Sequence, residues 1–241
     1  MDDAPLSEPL DVRAEVATAC RVLASLGQGD LIWGHVSARD AQDRGAWIKC
    51  SGYGLDEIDG SRVHLVDRAG DVLEGGGRRH LEYPIHTEVL AARPDVGAVV
   101  HTHAAHVVAF ASTGQPLRPI SHDACLFVPP DVPRFSETGD LIVSAELGAR
   151  VAACLGDSNA VVLLHHGVVT VGPDLAHAVM HSLLLDRACA TQMLAVAGGG
   201  VQTWSDDEEA LAKRAKHGTP SNLRAAYDYL VRALDRTRPA S

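Results

Sequence analysis

The segment His101-Thr102-His103 ends an apolar run, Val96-Gly97-Ala98-Val99-Val100, and constrains this chain most. A short run rich in β-branched residues reads as a buried strand. Successive side chains on a strand point to opposite faces, so His101 and His103 share one face. Two imidazoles side by side at a strand end offer a pair of metal ligands. A pair of histidines that merely hydrogen-bond at a domain surface fits the same pattern, and a motif this short does not separate the two.

Two further features bear on the choice. Upstream, Leu81 to Leu90 reads as a helix that ends near Arg93-Pro94, and Glu82 lies 19 residues before His101. A carboxylate there can serve as ligand, base or acid, or simply as a first-turn Glu favoured by the helix dipole. Downstream, Ala160 to Leu164 is a second apolar strand, closed by His165-His166-Gly167. His165 and His166 point to opposite faces, so at most one should meet the first pair, and Gly167 is expected to permit a sharp turn. Histidines from two strands together with one Glu make an open site with room for a substrate.

The ordered set Gly34-His35-Val36-Ser37, Ser51-Gly52, Glu82-x-x-x-His86, Arg93-Pro94-Asp95-Val96 through His101-Thr102-His103, and His166-Gly167 resembles the class II aldolase/adducin family over roughly residues 10 to 200. That family contains sugar-phosphate aldolases and epimerases, metal-dependent decarboxylases and enzymatically silent adducin heads. The resemblance implies that His101, His103 and His166 bind a divalent metal, with zinc, manganese, iron and cobalt all suited to the donor set. It places Glu82 at the family's catalytic carboxylate, and Ser51 and Gly52 in the substrate-binding loop. It also implies a homo-oligomer, commonly a tetramer with sites near subunit interfaces. Tyr227 or Tyr229 would then reach a neighbour's site, or simply pack along the last helix.

The departures from the family pattern bear on the substrate. Sugar-phosphate aldolases carry Gly-Asn where this chain has Gly34-His35, and Ser-Ser where it has His80-Leu81. The fuculose-type aldolase carries a Tyr 21 residues after the first metal histidine, and His122 stands there. Phosphate cradle and phenolic acid are lost together. The variant resembles decarboxylases of hydroxylated aromatic or pyridine dicarboxylates. Arg78, Arg79, His35 and His80 suit an anionic small-molecule substrate, because guanidinium binds carboxylate through parallel hydrogen bonds. Arg78 and Arg79 also read as a solvated basic loop after Gly75-Gly76-Gly77. Glu82, or a water it holds, is expected to handle the proton, with His122 assisting. The alternatives are an aldolase or epimerase on a non-phosphorylated hydroxy acid, and an adducin-like scaffold without catalysis.

Composition narrows the class further. The 241 residues are 46% hydrophobic and only 4% aromatic, which fits one α/β domain, residues 1–241, with an Ala/Val/Leu core. The net charge of −10, without a basic run, argues against nucleic acid or an anionic membrane as partner. Five scattered cysteines read as reduced thiols of a cytoplasmic protein, with Cys50 packing or edging the pocket. Residues 1–9 are acidic, lack an apolar core of the signal-peptide kind, and read as a flexible N-terminus.

Helices are expected over Val12 to Leu26, Ala104 to Ser112, Ala145 to Leu155 and Asp174 to Ala197. Strands are expected over Leu31 to Ser37, Ala46 to Cys50, Val63 to Asp67 and Val168 to Val171. Ser205-Asp206-Asp207-Glu208 reads as a capping box opening one last helix. Central strands flanked by helices imply a three-layer α/β/α domain with a mainly antiparallel sheet. His177 and His181 are spaced i, i+4 on the long helix, but no third ligand is offered nearby. His86 and His106 read as packing or orienting histidines, and Asp123 as a partner for a ligating ring.

Overall fold

The computed structural model describes residues 11–237, so the expected flexible stretch 1–9 lies outside the described residues. Strand β5 (Ala98–Thr102) occupies the middle of the sheet and every one of its residues is buried. It pairs antiparallel with β1 (His35–Arg39) on one side and with β8 (Gly167–Gly172) on the other. Beyond β1 lie β2 (Ala46–Lys49), β3 (Val63–Val66) and β4 (Val72–Glu74), and beyond β8 lie β7 (Ala160–Leu163) and β6 (Arg134–Phe135). The eight strands run in the order β4-β3-β2-β1-β5-β8-β7-β6, and only the β6–β7 pairing is parallel.

Helices cover both faces, as the near-continuous apolar runs of the central strands require. On one face Val36, Val100 and Val168 pack against α1 (Val12–Leu23), α6 (Leu175–Ala197) and α8 (Pro220–Thr237). On the other, Val99, Val161 and Val169 pack against α2 (Tyr83–Ala92) and α5 (Ala145–Leu155). Short helices α3 (Ala105–Ala111) and α4 (His122–Cys125), and α7 (Asp207–His217), complete the shell. Among the described residues no helix is long and apolar enough to cross a membrane. Cys20, Cys50, Cys125, Cys154 and Cys189 are all free thiols.

The structure differs from the expected elements in several places, each with a local cause. The first helix is regular to Leu23 and ends in a wide turn over Ala24–Gln28, where Gly27 takes φ +81°. The strand expected from Leu31 begins only at His35. Leu31 has φ +49°, Asp30 bridges to Trp33, and Gly34 has φ +73°, so Leu31, Ile32 and Trp33 form an exposed turn. The expected last helix is two helices. Asp206, not Ser205, caps α7 by accepting a hydrogen bond from the Glu209 N–H at 2.8 Å. Pro220 then opens α8, consistent with its missing N–H being harmless in a first turn. The edge strands β4 and β6 are too short to give a periodic signal in sequence.

The β1–β2 turn is closed by a buried carboxylate. Asp40 accepts from the Arg44 guanidinium at 2.8 Å and the Trp47 indole at 2.9 Å, and from the Gln42 and Arg44 backbone at 3.1 and 3.3 Å. Hydrogen bonds from Arg44, outweighing burial, pull its pKa from 3.8 down to about 2. A depressed carboxylate stabilises the fold fully above its unfolded value, and that stabilisation is lost as pH falls through the folded one. Asp40→Asn should therefore cost about 1–3 kcal/mol at pH 7. Urea denaturation should show the deficit shrinking between pH 3.8 and about 2.

Candidate metal centre

His101 and His103 leave β5 on the same face, while the intervening Thr102 turns to the other and donates to the Gln28 side-chain oxygen at 3.1 Å. The His101 ring donates its Nδ1–H to the Val168 carbonyl at 3.1 Å. His103 donates its Nδ1–H to Asp30 Oδ2 at 2.7 Å. Each bond leaves the Nε2 lone pair free. The third ring comes from the turn between β7 and β8, where the His166 N–H donates to the Leu163 carbonyl at 3.1 Å. Only His166 of the His165-His166 pair meets the others, while His165 is exposed with φ +62°.

The three ring centroids stand 5.0, 5.1 and 5.3 Å apart. One nitrogen of each lies within 4.8 Å of its fellows. Nε2 of all three is buried with no hydrogen-bond partner. A buried polar atom left unpaired costs about 1–3 kcal/mol, and a divalent cation would satisfy all three lone pairs at once. Burial pushes the His101 pKa down to about 3, which keeps the ring in its neutral, ligating form. The donor set therefore fits a divalent ion.

The role expected of Gly167 needs correction: the left-handed residue of this turn is His165. What Gly167 supplies is space. A Cβ there would stand 2.6 Å from the Thr102 carbonyl oxygen and 2.8 Å from His103 Cδ2.

Glu82 sits at the start of α2, where its Oε1 accepts the Ile142 N–H at 2.8 Å. Oε1 lies 3.5 Å from His166 Nε2, and Oε2 lies 3.8 Å from His101 Nε2 and 3.7 Å from His35 Nε2. Burial works to raise its pKa, but the imidazoles of His166, His35 and His101 hold it well below the ordinary carboxylate range. Antiparallel register sets His35 directly across from His101, with ring centroids 4.8 Å apart. His80 continues the row at 4.6 Å from His35, its Nε2 buried without a partner. Burial, helped by the Lys49 charge, takes the His80 pKa down to about 3.

The other candidates divide. Ser51 is half-buried and its N–H donates to the Arg78 carbonyl at 2.7 Å, which brings the loop carrying Gly52 against the 76–80 segment. Arg78 is exposed, and the Arg79 guanidinium lies 4.2 Å over the Tyr83 ring. His122 is exposed and stacks on His217 at 4.1 Å. Among the described residues no hydrogen bond, ion pair or ring contact joins His122 to Glu82. Asp123 pairs with Arg187 at 3.2 Å rather than with a ligating ring. Cys50 donates to the Gly76 carbonyl at 2.9 Å, with burial raising its thiol pKa, and so packs. Tyr227 is buried in the core and Tyr229 is exposed beside Arg236. His177 and His181 spend their Nδ1–H on Asp174 and on the Val171 carbonyl. His106 bonds Asp186. Asp30, which orients His103, went unrecognised in the sequence, because it lies in an irregular turn with no periodicity to single it out.

Gly167→Ala should lower stability by about 1–3 kcal/mol, the usual cost of overpacking, because the obstructing atom is backbone. Comparing urea midpoints with the parent protein checks this.

The family model described as "Class II Aldolase and Adducin N-terminal domain" matches residues 14–193. The 3,4-dihydroxyphthalate decarboxylase of Arthrobacter keyseri is 33% identical over 78% of this chain and 80% of its own. The decarboxylase NovR of Streptomyces niveus is 33% identical over 76% of this chain and 69% of its own. The solved L-fuculose 1-phosphate aldolase from Glaciozyma antarctica PI12 superposes with a TM-score of 0.84 at 25% identity, covering 97% of this chain and 94% of its own. The chain belongs to the class II aldolase and adducin family and resembles its decarboxylase branch.

Proposed function

We propose that this protein is a divalent-metal-dependent decarboxylase of a hydroxylated aromatic dicarboxylate, of the 3,4-dihydroxyphthalate type. The observation that carries the reading is the convergence of three unpartnered imidazole nitrogens beside one ionised carboxylate, Glu82. His101, His103 and His166 would hold the ion, which when bound supplies Lewis acidity toward the oxygens of an enolate or phenolate. The substrate class is supported by the buried His35–His80 pair, which by the family resemblance stands where sugar-phosphate aldolases carry Asn and Ser, and by the names of the similar decarboxylases.

The chain's own residues then have distinct tasks. His35 and His80 present imidazole edges to the substrate anion, and the 51–52 loop closes one side of the site. When CO2 leaves, the electron pair of the broken C–C bond stays on the ring carbon, which must take a proton. Glu82, an anion at the outset, would take the proton of a substrate hydroxyl and return it to that carbon, directly or through a water it holds. Among the described residues no contact joins His122 to Glu82, and His122 would assist from a neighbouring copy. The reading includes a homo-oligomer, consistent with the exposed apolar turn Leu31-Ile32-Trp33 next to Asp30.

A second reading, aldol cleavage or epimerisation of a non-phosphorylated hydroxy acid, is favoured by the close superposition on a fuculose-phosphate aldolase. An adducin-like scaffold has less support, since a silent head has no need of the triad and Glu82 together.

The deciding experiment measures CO2 release from hydroxylated phthalates and pyridine dicarboxylates with and without chelator. Release that the chelator abolishes and added metal restores is expected. No CO2 from any substrate, with about one metal per chain confirmed by elemental analysis, would move the assignment to retro-aldol cleavage. Glu82→Gln should lose about 10²–10⁴-fold in turnover while keeping its metal content.

A further inference from the structure

Behind the site a hydrogen-bonded chain runs away from Glu82 into the sheet. His35 Nε2 faces Glu82 Oε2 at 3.7 Å, and His35 Nδ1 lies 2.6 Å from His86 Nε2. His86 Nδ1 in turn lies 2.7 Å from Ser37 Oγ. All three residues are buried, at 0–2% exposure, so no bulk water reaches these contacts.

Chemistry allows such a chain only two arrangements. Two ring nitrogens 2.6 Å apart share a single hydrogen, and imidazoles buried this completely among other imidazoles stay neutral, with one N–H each. Each of the two short contacts must hold one hydrogen, so the donors run all in one direction or all in the other. In the first arrangement Ser37 O–H donates to His86 Nδ1, His86 Nε2–H donates to His35 Nδ1, and His35 points Nε2–H at Glu82. In the second every bond is reversed, and His35 turns a bare lone pair toward an ionised carboxylate. That juxtaposition is repulsive in a site of low dielectric.

We propose that Ser37 and His86 are positioning residues that lock His35 in the Nε2–H tautomer, making His35 a hydrogen-bond donor into the site beside Glu82. An imidazole so fixed recognises a substrate oxygen with a lone pair, such as a carboxylate, and offers no acceptor to a hydroxyl. The chain stops at Ser37, which is fully buried, so it orients His35 rather than conducting protons from solvent. The inference rests on the reading of Glu82 as the ionised carboxylate of the substrate site.

Neutron diffraction from perdeuterated, zinc-loaded crystals at neutral pH reads the chain without any substrate. Deuterium on Nε2 of both His35 and His86, with the Ser37 O–D directed at His86, is the expected result. Deuterium on His35 Nδ1 would overturn the proposal. Kinetics give a second arm. Ser37→Ala should lower kcat/KM by about tenfold, the size of one hydrogen bond, at unchanged zinc content. His86→Leu should lower it about 10²-fold, and His86→Gln, whose amide can keep both bonds, should remain within about threefold of the parent. Parent-like kcat/KM in both Ser37→Ala and His86→Leu would also overturn it. If His86→Leu does not fold, the neutron map and Ser37→Ala decide. If the parent releases no CO2 from any substrate, the decarboxylase reading fails while the neutron map still judges the tautomer.

Discussion

The antiparallel pairing of β5 with β1 and β8 is the constraint on which the site depends. In register, His101 lies opposite His35 on one side and Val169 on the other. A slip of one residue in either ladder would send the imidazoles of one strand through to the opposite face. The register is held by buried Val, Ala and Thr on both faces, so the apolar core that folds the sheet also aligns the polar site at its end. The same pairing brings the start of β8 beside the end of β5. There Gly167 allows the His165-His166 turn to lie against the Thr102 carbonyl, with no side chain between.

Burying several imidazoles is expensive, and the molecule offsets the expense by giving most rings one partner and leaving the other nitrogen for the site. His101 uses the Val168 carbonyl, His103 uses Asp30, and His35 uses His86. Each partner fixes a tautomer as well as an orientation, which is how outer contacts tune ligating histidines generally. Glu82 then stands as an anion among the imidazoles, held additionally by the Ile142 N–H. A net charge of −10 spread over the surface is no obstacle to an anionic substrate, because a bound dication and the donors around it dominate locally.

Much of this was legible in the sequence, for physical reasons that differ by residue. His101 and His103 are adjacent in chain and alternate on a strand, so period-two geometry alone puts them together. His166 follows a second apolar strand and ends in Gly167, so its direction could be narrowed to one of two neighbouring histidines. Glu82 could be tied to the site through the family spacing, not through local pattern, since a first-turn Glu is common. Arg78 and Arg79 illustrate the limit: the family resemblance offered a substrate clamp and the Gly-rich run before them a solvated loop, and the structure puts Arg78 in solvent and Arg79 on Tyr83. Asp30 and the His35–His86–Ser37 connectivity are tertiary facts. They arise from strand register and an irregular turn, and no one-dimensional spacing encodes them.

The three rings are held unequally, and the inequality has a consequence. His101 is fixed by a strand carbonyl deep in the sheet, and His103 by a carboxylate on a partly exposed turn. His166 has neither: both of its ring nitrogens are buried without a hydrogen-bond partner. Its ring is therefore placed by backbone and packing, through the Leu163 bond that shapes its turn, and by the Glu82 carboxylate 3.5 Å from its Nε2. Two rings preorganised by hydrogen bonds define where an ion would sit, while the third completes the coordination with the least energy invested in its own orientation. Ligation would relieve one uncompensated nitrogen on each of the three rings alike, and on His166 it would leave the second nitrogen still unpaired, which is the cost of holding that ring without a partner of its own.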